Sequence, residues 1–290
     1  MSHLSSERST RDLESDFKRP VILFGLIGQS NADGANCRYR DMEDPLMPPA
    51  DGFSGCYIFD KVAREDRLRL DVRGEVRRLT PGYANGALKP WSDSDNDYFG
   101  PELAFARDYQ RALGHTVVIV KLAIGGSRVG NGEYQSWNVD SHVKYGLLKP
   151  YLAGYWGAAL KWLEPRARDI RFGGMVSMVG GSDARTESDA MAYARNMANI
   201  IRTTSERVMP AGQGPLPWLV IKTPRITDSG MVLGFLDEIR KSQDRLAALP
   251  GVSVEELVIP SFHGNDRIHL NTKGVVGAGR QMAAWAHRQI

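Results

Sequence analysis

Three short motifs contain residue types that could do chemistry, and the first is Gly28-Gln29-Ser30-Asn31. It follows an apolar run, so Ser30 is expected at a strand-to-helix turn above the edge of a sheet. The N-terminus of the following helix would offer unpaired N–H groups and a partial positive charge to an anion formed there. Ser30 is therefore a candidate nucleophile, while the alternative is that Ser30 or Asn31 only caps the helix.

The second motif is Gly125-Gly126-Ser127, which again follows an apolar run. Two glycines allow the backbone to approach a ligand closely and to direct N–H groups at it, as an oxyanion hole requires. A phosphate cradle or a plain tight turn would use the same residues. Neither G-x-G-x-x-G nor G-x-x-x-x-G-K-[ST] is present here, which weakens the case for nucleotide binding.

The third motif is Asp266-Arg267-Ile268-His269, just before the last predicted helix. A spacing of three residues lets one turn bring the carboxylate onto the imidazole, where it would orient a general base and stabilise its protonated form. The alternative is a solvated histidine beside Asn271, which would cap the helix.

His263 is a rival base, and together with Asp266 and His269 it could suggest a metal site. Convergence of these three side chains through a Gly-Asn turn is not assured, and no further ligand cluster appears in the sequence. The residues therefore give little support for a metal site.

Apolar runs rich in β-branched residues predict the strands that carry these motifs. The runs cover residues 21–27, 116–124, 172–179 and 218–223, with weaker candidates at 55–59 and 252–259. Helical patterns alternate with them at residues 101–113, 150–163, 186–208, 231–248 and 272–290. This alternation predicts a three-layer α/β/α sandwich around a central parallel sheet, with its chemistry beyond the carboxyl ends of the strands.

Residues 1–19 are polar and without periodicity, so we expect a disordered tail followed by a single domain over residues 20–290. Residues 61–78 alternate in charge, which favours an exposed hairpin over a nucleic-acid patch. The whole chain has 290 residues, of which 42% are hydrophobic, and its 37 Lys plus Arg against 34 Asp plus Glu leave a charge of only +3. That balance gives no basis for a nucleic-acid partner.

Two cysteines, Cys37 and Cys56, cannot form a disulfide framework, although one bridge between them stays open. No window approaches ~18 consecutive apolar residues, and the N-terminus lacks the apolar region of a secretory signal. The chain is expected to be soluble and not to bind a membrane. Its location is otherwise unknown, with the cytoplasm slightly favoured over export.

In these motifs and their order the sequence resembles the SGNH-type hydrolases, specifically the sialic acid O-acetylesterase-like group that includes carbohydrate esterase family six. The resemblance rests on segments spread from residue 28 to residue 271, at residues 28–31, 99–106, 123–127 and 266–271. It implies a flavodoxin-like sandwich with Ser30 as nucleophile, His269 as general base and Asp266 as its partner. It also implies the backbone N–H groups of Ser30 and Gly126 as oxyanion donors, and no cofactor.

One segment departs from the family pattern. Where relatives commonly have Gln-Gly-Glu, this chain has Val179-Gly180-Gly181 before Ser182 and Asp183. The polar side chains at the first and third positions are missing. Loss of one oxyanion donor costs ~10²- to 10³-fold in rate, so we expect a slower site, recruitment of Ser182 or a nearby N–H, or altered specificity.

The expected activity is removal of small acyl groups, above all O-acetyl, from a carbohydrate by a serine esterase. Candidate substrate-binding residues are Gln29, Asn31, Ser127 and Ser182. The alternatives are a non-catalytic module that binds acetylated glycans and a lipase or thioesterase on the same fold. Loop aromatics could stack on sugar rings or pack within the loops; they are Trp91, Tyr98, Tyr134 and Trp137.

Overall fold

The strand over Val21–Gly28, named β1, occupies the middle of the sheet in a computed structural model of the chain. The model describes residues 15–42, 52–61, 74–83, 98–130, 135–139, 146–209, 214–225, 233–258, 260–264 and 268–289. All eight residues of β1 are buried, because the strand is covered by helices on both faces. The continuous apolar run therefore predicted its position correctly.

The described residues form a seven-stranded sheet in the order β3-β2-β4-β1-β5-β6-β7. The strands after β1 are β2 (Cys56–Lys61), β3 (Gly74–Arg78), β4 (Thr116–Ala123), β5 (Ile170–Met178), β6 (Trp218–Ile221) and β7 (Val252–Glu255). Neighbouring strands are parallel except for β2 and β3, which pair in antiparallel fashion. The hairpin predicted over residues 61–78 thus has its second strand in β3, which pairs with β2. Residues 62–73 between them lie outside the described part of the chain.

The helices are α1 (Ser30–Asp33), α2 (Glu102–Leu113), α3 (Gly157–Leu163), α4 (Glu187–Val208), α5 (Leu236–Leu246) and α6 (Thr272–His287). A π-helical segment over Pro150–Trp156 leads into α3, and short 3₁₀ turns occupy Tyr39–Asp41 and Asp183–Arg185. Helix α2 ends at Gly114, whose φ of 67° is the left-handed conformation expected of a C-terminal glycine.

Alternate residues of β1 contribute to two apolar layers. Leu23 and Ile27 pack into a cluster with the π-helical segment, α3, α4 and α5, whereas Phe24 and Leu26 pack against α2 and α6. These two layers on opposite faces of one sheet confirm the predicted three-layer α/β/α sandwich.

The N-terminal boundary differs from the expected one. The polar sequence predicts a disordered tail through residue 19, yet Asp16 and Phe17 are buried. The Asp16 carboxylate accepts hydrogen bonds from the Gly55 N–H at 3.0 Å and the Tyr57 hydroxyl at 2.6 Å. These partners are 39 and 41 positions away in sequence, so the polar character of residues 15–19 does not predict the contacts. Residues 1–14 lie outside the described part of the chain.

Cys37 and Cys56 are both buried and free, so the bridge left open by the sequence is absent. Burial raises the pKa of each thiol to about 12. In the described segments, no helix is long and apolar enough to cross a membrane.

Candidate active site

The serine motif, the glycine motif and the described end of the histidine motif lie at the carboxyl edge of the central strands. β2, β3 and β4 all lie on one side of β1 in the sheet, whereas β5, β6 and β7 lie on the other side. The direction of strand addition therefore reverses at β1, which makes β1 the topological switch point of the sheet. In open α/β sheets, ligands bind beyond the carboxyl ends of the strands at such a point.

Ser30 is the first residue of α1, a helix of four residues. Gln29 before it has an extended backbone, with φ −113° and ψ −155°, and its N–H donates to the Met178 carbonyl at 3.2 Å. The chain therefore turns sharply from β1 into α1 while still paired to the end of β5. Ser30 is 7% exposed.

The glycine loop after β4 lies beside the serine. A Cβ added at Gly125 would lie 3.9 Å from the Ser30 Cβ, an ordinary van der Waals contact. Gly126 is exposed and has a φ of 76°, a backbone conformation that side chains disfavour. The glycine pair thus allows a tight turn with an open surface next to Ser30.

Ser127, expected as a substrate contact, is fully buried instead. Its hydroxyl donates to the Gly28 carbonyl at 3.2 Å and accepts from the Trp137 indole N–H at 3.1 Å. Through the bond to Gly28, this hydroxyl holds the glycine loop at the end of β1. Trp137 is also fully buried, which contradicts its candidacy as a sugar-stacking surface. Trp91 and Tyr134 lie outside the described residues.

Asn31 connects the serine motif to the histidine motif. Its side-chain Oδ1 accepts from the Leu270 N–H at 2.8 Å, and its Nδ2 donates to the Ile268 carbonyl at 3.1 Å. These two backbone groups flank His269 on either side. One carboxamide, next to Ser30 in sequence, therefore holds the backbone around His269. The side chain expected to bind substrate is engaged by the protein.

The loop before α6 is held at further points. The His263 N–H donates to the His269 carbonyl at 3.0 Å, and Asn271 caps α6 by accepting from the Gly274 N–H at 3.0 Å. The capping role considered for Asn271 is confirmed, and it coexists with the hydrogen bonds from Asn31 to the backbone on either side of His269. Asp266, the predicted partner of His269, lies outside the described residues.

The segment that departs from the family pattern is packed against its neighbours. The Val179 carbonyl accepts from the Tyr193 hydroxyl at 2.9 Å and from the Gln243 side-chain amide at 3.1 Å. On the side of the serine, Gln29 Oε1 accepts from the N–H groups of Gly180 and Ser182 at 3.4 and 3.5 Å. Ser182 itself is buried.

Asp183 joins the two loops that border the site. Its Oδ1 accepts from the N–H groups of Val129 and Gly130, both at 2.8 Å, just past the glycine motif. Its Oδ2 has no hydrogen-bond partner within the described segments. Complete burial raises the pKa of this carboxyl to about 7, against the opposing effect of the two N–H donors. The sequence contained no signal for this contact, which depends on loops over 50 residues apart in the chain.

No group of three His, Cys, Asp or Glu side chains within the described residues could hold a metal ion.

This architecture is the sandwich expected of an SGNH-type hydrolase, with chemistry-bearing residues at the switch point. The family model described as "Carbohydrate esterase, sialic acid-specific acetylesterase" matches residues 20–288, and the chain belongs to this family. It is therefore a member of a carboxylic ester hydrolase family. A search of curated proteins found no significant match.

Solved structures share the fold at low sequence identity. A protein from Arabidopsis thaliana is 20% identical, with a TM-score of 0.60 over 92% of this chain and 98% of that one. A carbohydrate acetylesterase from Xanthomonas citri is 19% identical, with a TM-score of 0.56 over 91% of this chain and 57% of that one. NanS is 12% identical, with a TM-score of 0.60 over 94% of this chain and 97% of that one.

Proposed function

We propose that this protein is a serine esterase that removes O-acetyl groups from a carbohydrate, with Ser30, His269 and Asp266 as its catalytic residues. The single observation that carries the proposal is the contact of Asn31 with both backbone groups that flank His269. This contact brings the residue after Ser30 to the backbone of His269, across 237 to 239 positions of sequence. Family membership supports the acyl-ester chemistry and the carbohydrate substrate.

In the proposed mechanism, Ser30 Oγ attacks the acetyl carbonyl while His269 takes the hydroxyl proton. The electron pair of the carbonyl moves onto its oxygen, which the N–H groups of Ser30 and Gly126 stabilise. Collapse of this intermediate breaks the bond to the sugar oxygen, which takes the proton from His269. Water then repeats the cycle on the acetyl-enzyme, and Asp266 orients the imidazole throughout.

The test of the nucleophile is Ser30→Ala, with hydrolysis of an aryl acetate as the measurement. We expect kcat to fall more than ~10³-fold, because no other group forms the acyl-enzyme. Ser205→Ala is the matched control, since this serine lies near the end of α4 and its hydroxyl donates to the Ile201 carbonyl of its own helix at 2.8 Å. Wild-type activity in a folded Ser30→Ala protein would exclude Ser30 from the mechanism.

The identity of the acyl group and sugar needs separate measurements. A series of acyl esters of increasing chain length should show a preference for acetyl, and preference for long chains would favour a lipase or thioesterase. Acetate release from a panel of acetylated glycans would identify the sugar.

A binding module without catalysis is the second candidate, favoured by the loss of polar side chains at Val179 and Gly181. A serine-directed organophosphonate distinguishes the two, because only an activated hydroxyl is labelled. Labelling at Ser30 supports the esterase. An unlabelled protein that still binds acetylated glycan would support the module.

A further inference from the structure

The side chain of Gln29 lies in the space that a side chain at position 181 would occupy. A Cβ added at Gly181 would lie 2.8 Å from Gln29 Nε2, closer than real Cβ contacts permit. The glycine that departs from the family pattern is therefore what allows Gln29 to adopt this position.

The carboxamide of Gln29 is oriented by its oxygen. Oε1 accepts from the N–H groups of Gly180 and Ser182, which assigns the other amide atom as the donor. The backbone of Gln29 is also held, since its N–H donates to the Met178 carbonyl and its carbonyl accepts from the Asp33 N–H. The side chain of Gln29 is thus held by the Gly180–Ser182 turn, and its backbone by the end of β5 and by α1.

The donor end of Gln29 is unused. Nε2 has no hydrogen-bond partner among the residues that the structure describes, although the residue is only 9% exposed. Nε2 itself is not among the fully buried unpartnered atoms of the described residues, so solvent or a ligand can reach this donor. Ser30, the adjacent residue, lies beside the glycine loop that follows β4, and Gln29 itself contacts the Gly180–Ser182 turn.

We infer that Gln29 Nε2 donates a hydrogen bond to the oxyanion that forms when Ser30 attacks the acyl carbonyl, and that it replaces a donor lost at positions 179 and 181. This inference rests on the proposed function. The oxyanion would then have three donors: the N–H groups of Ser30 and Gly126, and Nε2. Gln29 forms no covalent bond and transfers no proton in this step.

The test uses two substitutions at position 29, assayed with an aryl acetate. Gln29→Met removes both the donor and the acceptor without adding charge. Gln29→Glu keeps an oxygen that accepts from Gly180 and Ser182 but lacks the donor. We expect kcat to fall about 10²-fold in both variants with KM nearly unchanged, because a donor to the oxyanion acts only in the transition state.

A purely structural role for Gln29 predicts a different pattern. The turn would stay anchored in Gln29→Glu, and that variant would keep its kcat while Gln29→Met lost it. Unchanged kcat in folded protein for either variant would overturn the inference.

Gly181→Ala tests the space itself, because the added methyl group meets only the far end of the Gln29 side chain. We expect a fall in kcat of about tenfold or more as Nε2 is displaced. Gly214→Ala is the matched control, since a Cβ there would meet no atom of the described residues within 4 Å, and it should leave kcat unchanged. Wild-type kcat in Gly181→Ala would contradict the coupling of the two positions.

Failure of the proposed function gives a separate result. Wild-type protein that hydrolyses no acyl ester, or Ser30→Ala protein that retains activity, would overturn the mechanism and this inference together. Normal loss in Ser30→Ala with wild-type kcat in Gln29→Met would overturn the inference alone.

Discussion

Asn31 shows how a single side chain can join two parts of a site that are far apart in sequence. Its carboxamide donates to the Ile268 carbonyl and accepts from the Leu270 N–H, the backbone groups of the residues before and after His269. A residue with one donor and one acceptor at this spacing is needed, because the two backbone groups have opposite polarity. Asn is the shortest side chain that supplies the donor and the acceptor on separate atoms.

The residue-scale prediction is that Asn31→Asp lowers kcat/KM for an aryl acetate by about 10²-fold, because small misplacements of catalytic groups cost that much. The carboxylate can still accept from the Leu270 N–H but cannot donate to the Ile268 carbonyl. Steady-state kinetics with Ser205→Ala as the control would measure the effect. Asn31→Asp protein with unchanged kinetics would show that the contact does not position His269.

At the scale of elements, the four-residue helix α1 depends on its neighbours for its position. Gln29 at its N-terminus provides no side-chain cap. At its other end the Asp33 carbonyl accepts from Lys121 Nζ at 3.0 Å, and this ammonium also pairs with the Glu102 carboxylate at 2.8 Å. Both ionic side chains are almost fully buried. The pair thus ties α1 to β4 and to the start of α2.

The element-scale prediction concerns this buried ion pair. Lys121→Met should lower the free energy of unfolding by about 3–5 kcal/mol, because it leaves the Glu102 charge buried without its partner. The double variant Lys121→Met with Glu102→Gln should lose less than the single variant, since the unpaired charge is gone and Gln can still accept from the Gly100 N–H. Urea denaturation of the two variants and of Glu102→Gln completes a double-mutant cycle. Losses that simply add would refute the coupling.

At the scale of the whole molecule, Asp183 links global stability to pH. The carboxyl is fully buried between the glycine loop and the turn after β5, with Arg128, Asp189 and Tyr193 as the nearby ionisable groups. Burial and Asp189 raise its pKa, from 3.8 to about 7, whereas Arg128 and the two backbone donors lower it. The folded state therefore holds a proton that the unfolded state releases at lower pH.

The sign follows from this difference. The contribution of Asp183 to stability is fully present below pH 3.8 and is lost as the pH rises to about 7. In Asp183→Asn, Oδ1 can still accept from Val129 and Gly130, but the titration is absent. We expect the melting temperature of this variant relative to wild type to increase between about pH 4 and pH 7 and then to level off. A difference that is constant over this range would contradict the prediction.

The local pattern of the sequence was sufficient for the layers of the fold. An uninterrupted apolar run predicts β1, and the helical pattern over residues 101–113 predicts α2, which ends at Gly114. Such signals are local, since burial on both faces of a strand and the termination of a helix depend on nearby residue types. The edge position of β3 and the packing of Phe17 were not predictable in this way, because both depend on contacts with distant strands.

The sequence by itself determined which residues could do chemistry and at which edge of the sheet they lie, because parallel strands place every following loop on the same side. Only the tertiary structure decided how these residues are used. Ser127 is buried and its hydroxyl bonds to the end of β1, and Asn31 bonds to the loop that contains His269. The side chain of Gln29 lies next to Gly181. These outcomes depend on hydrogen bonds between residues that lie about 100 to 240 positions apart, and such distances leave no periodic trace in the chain.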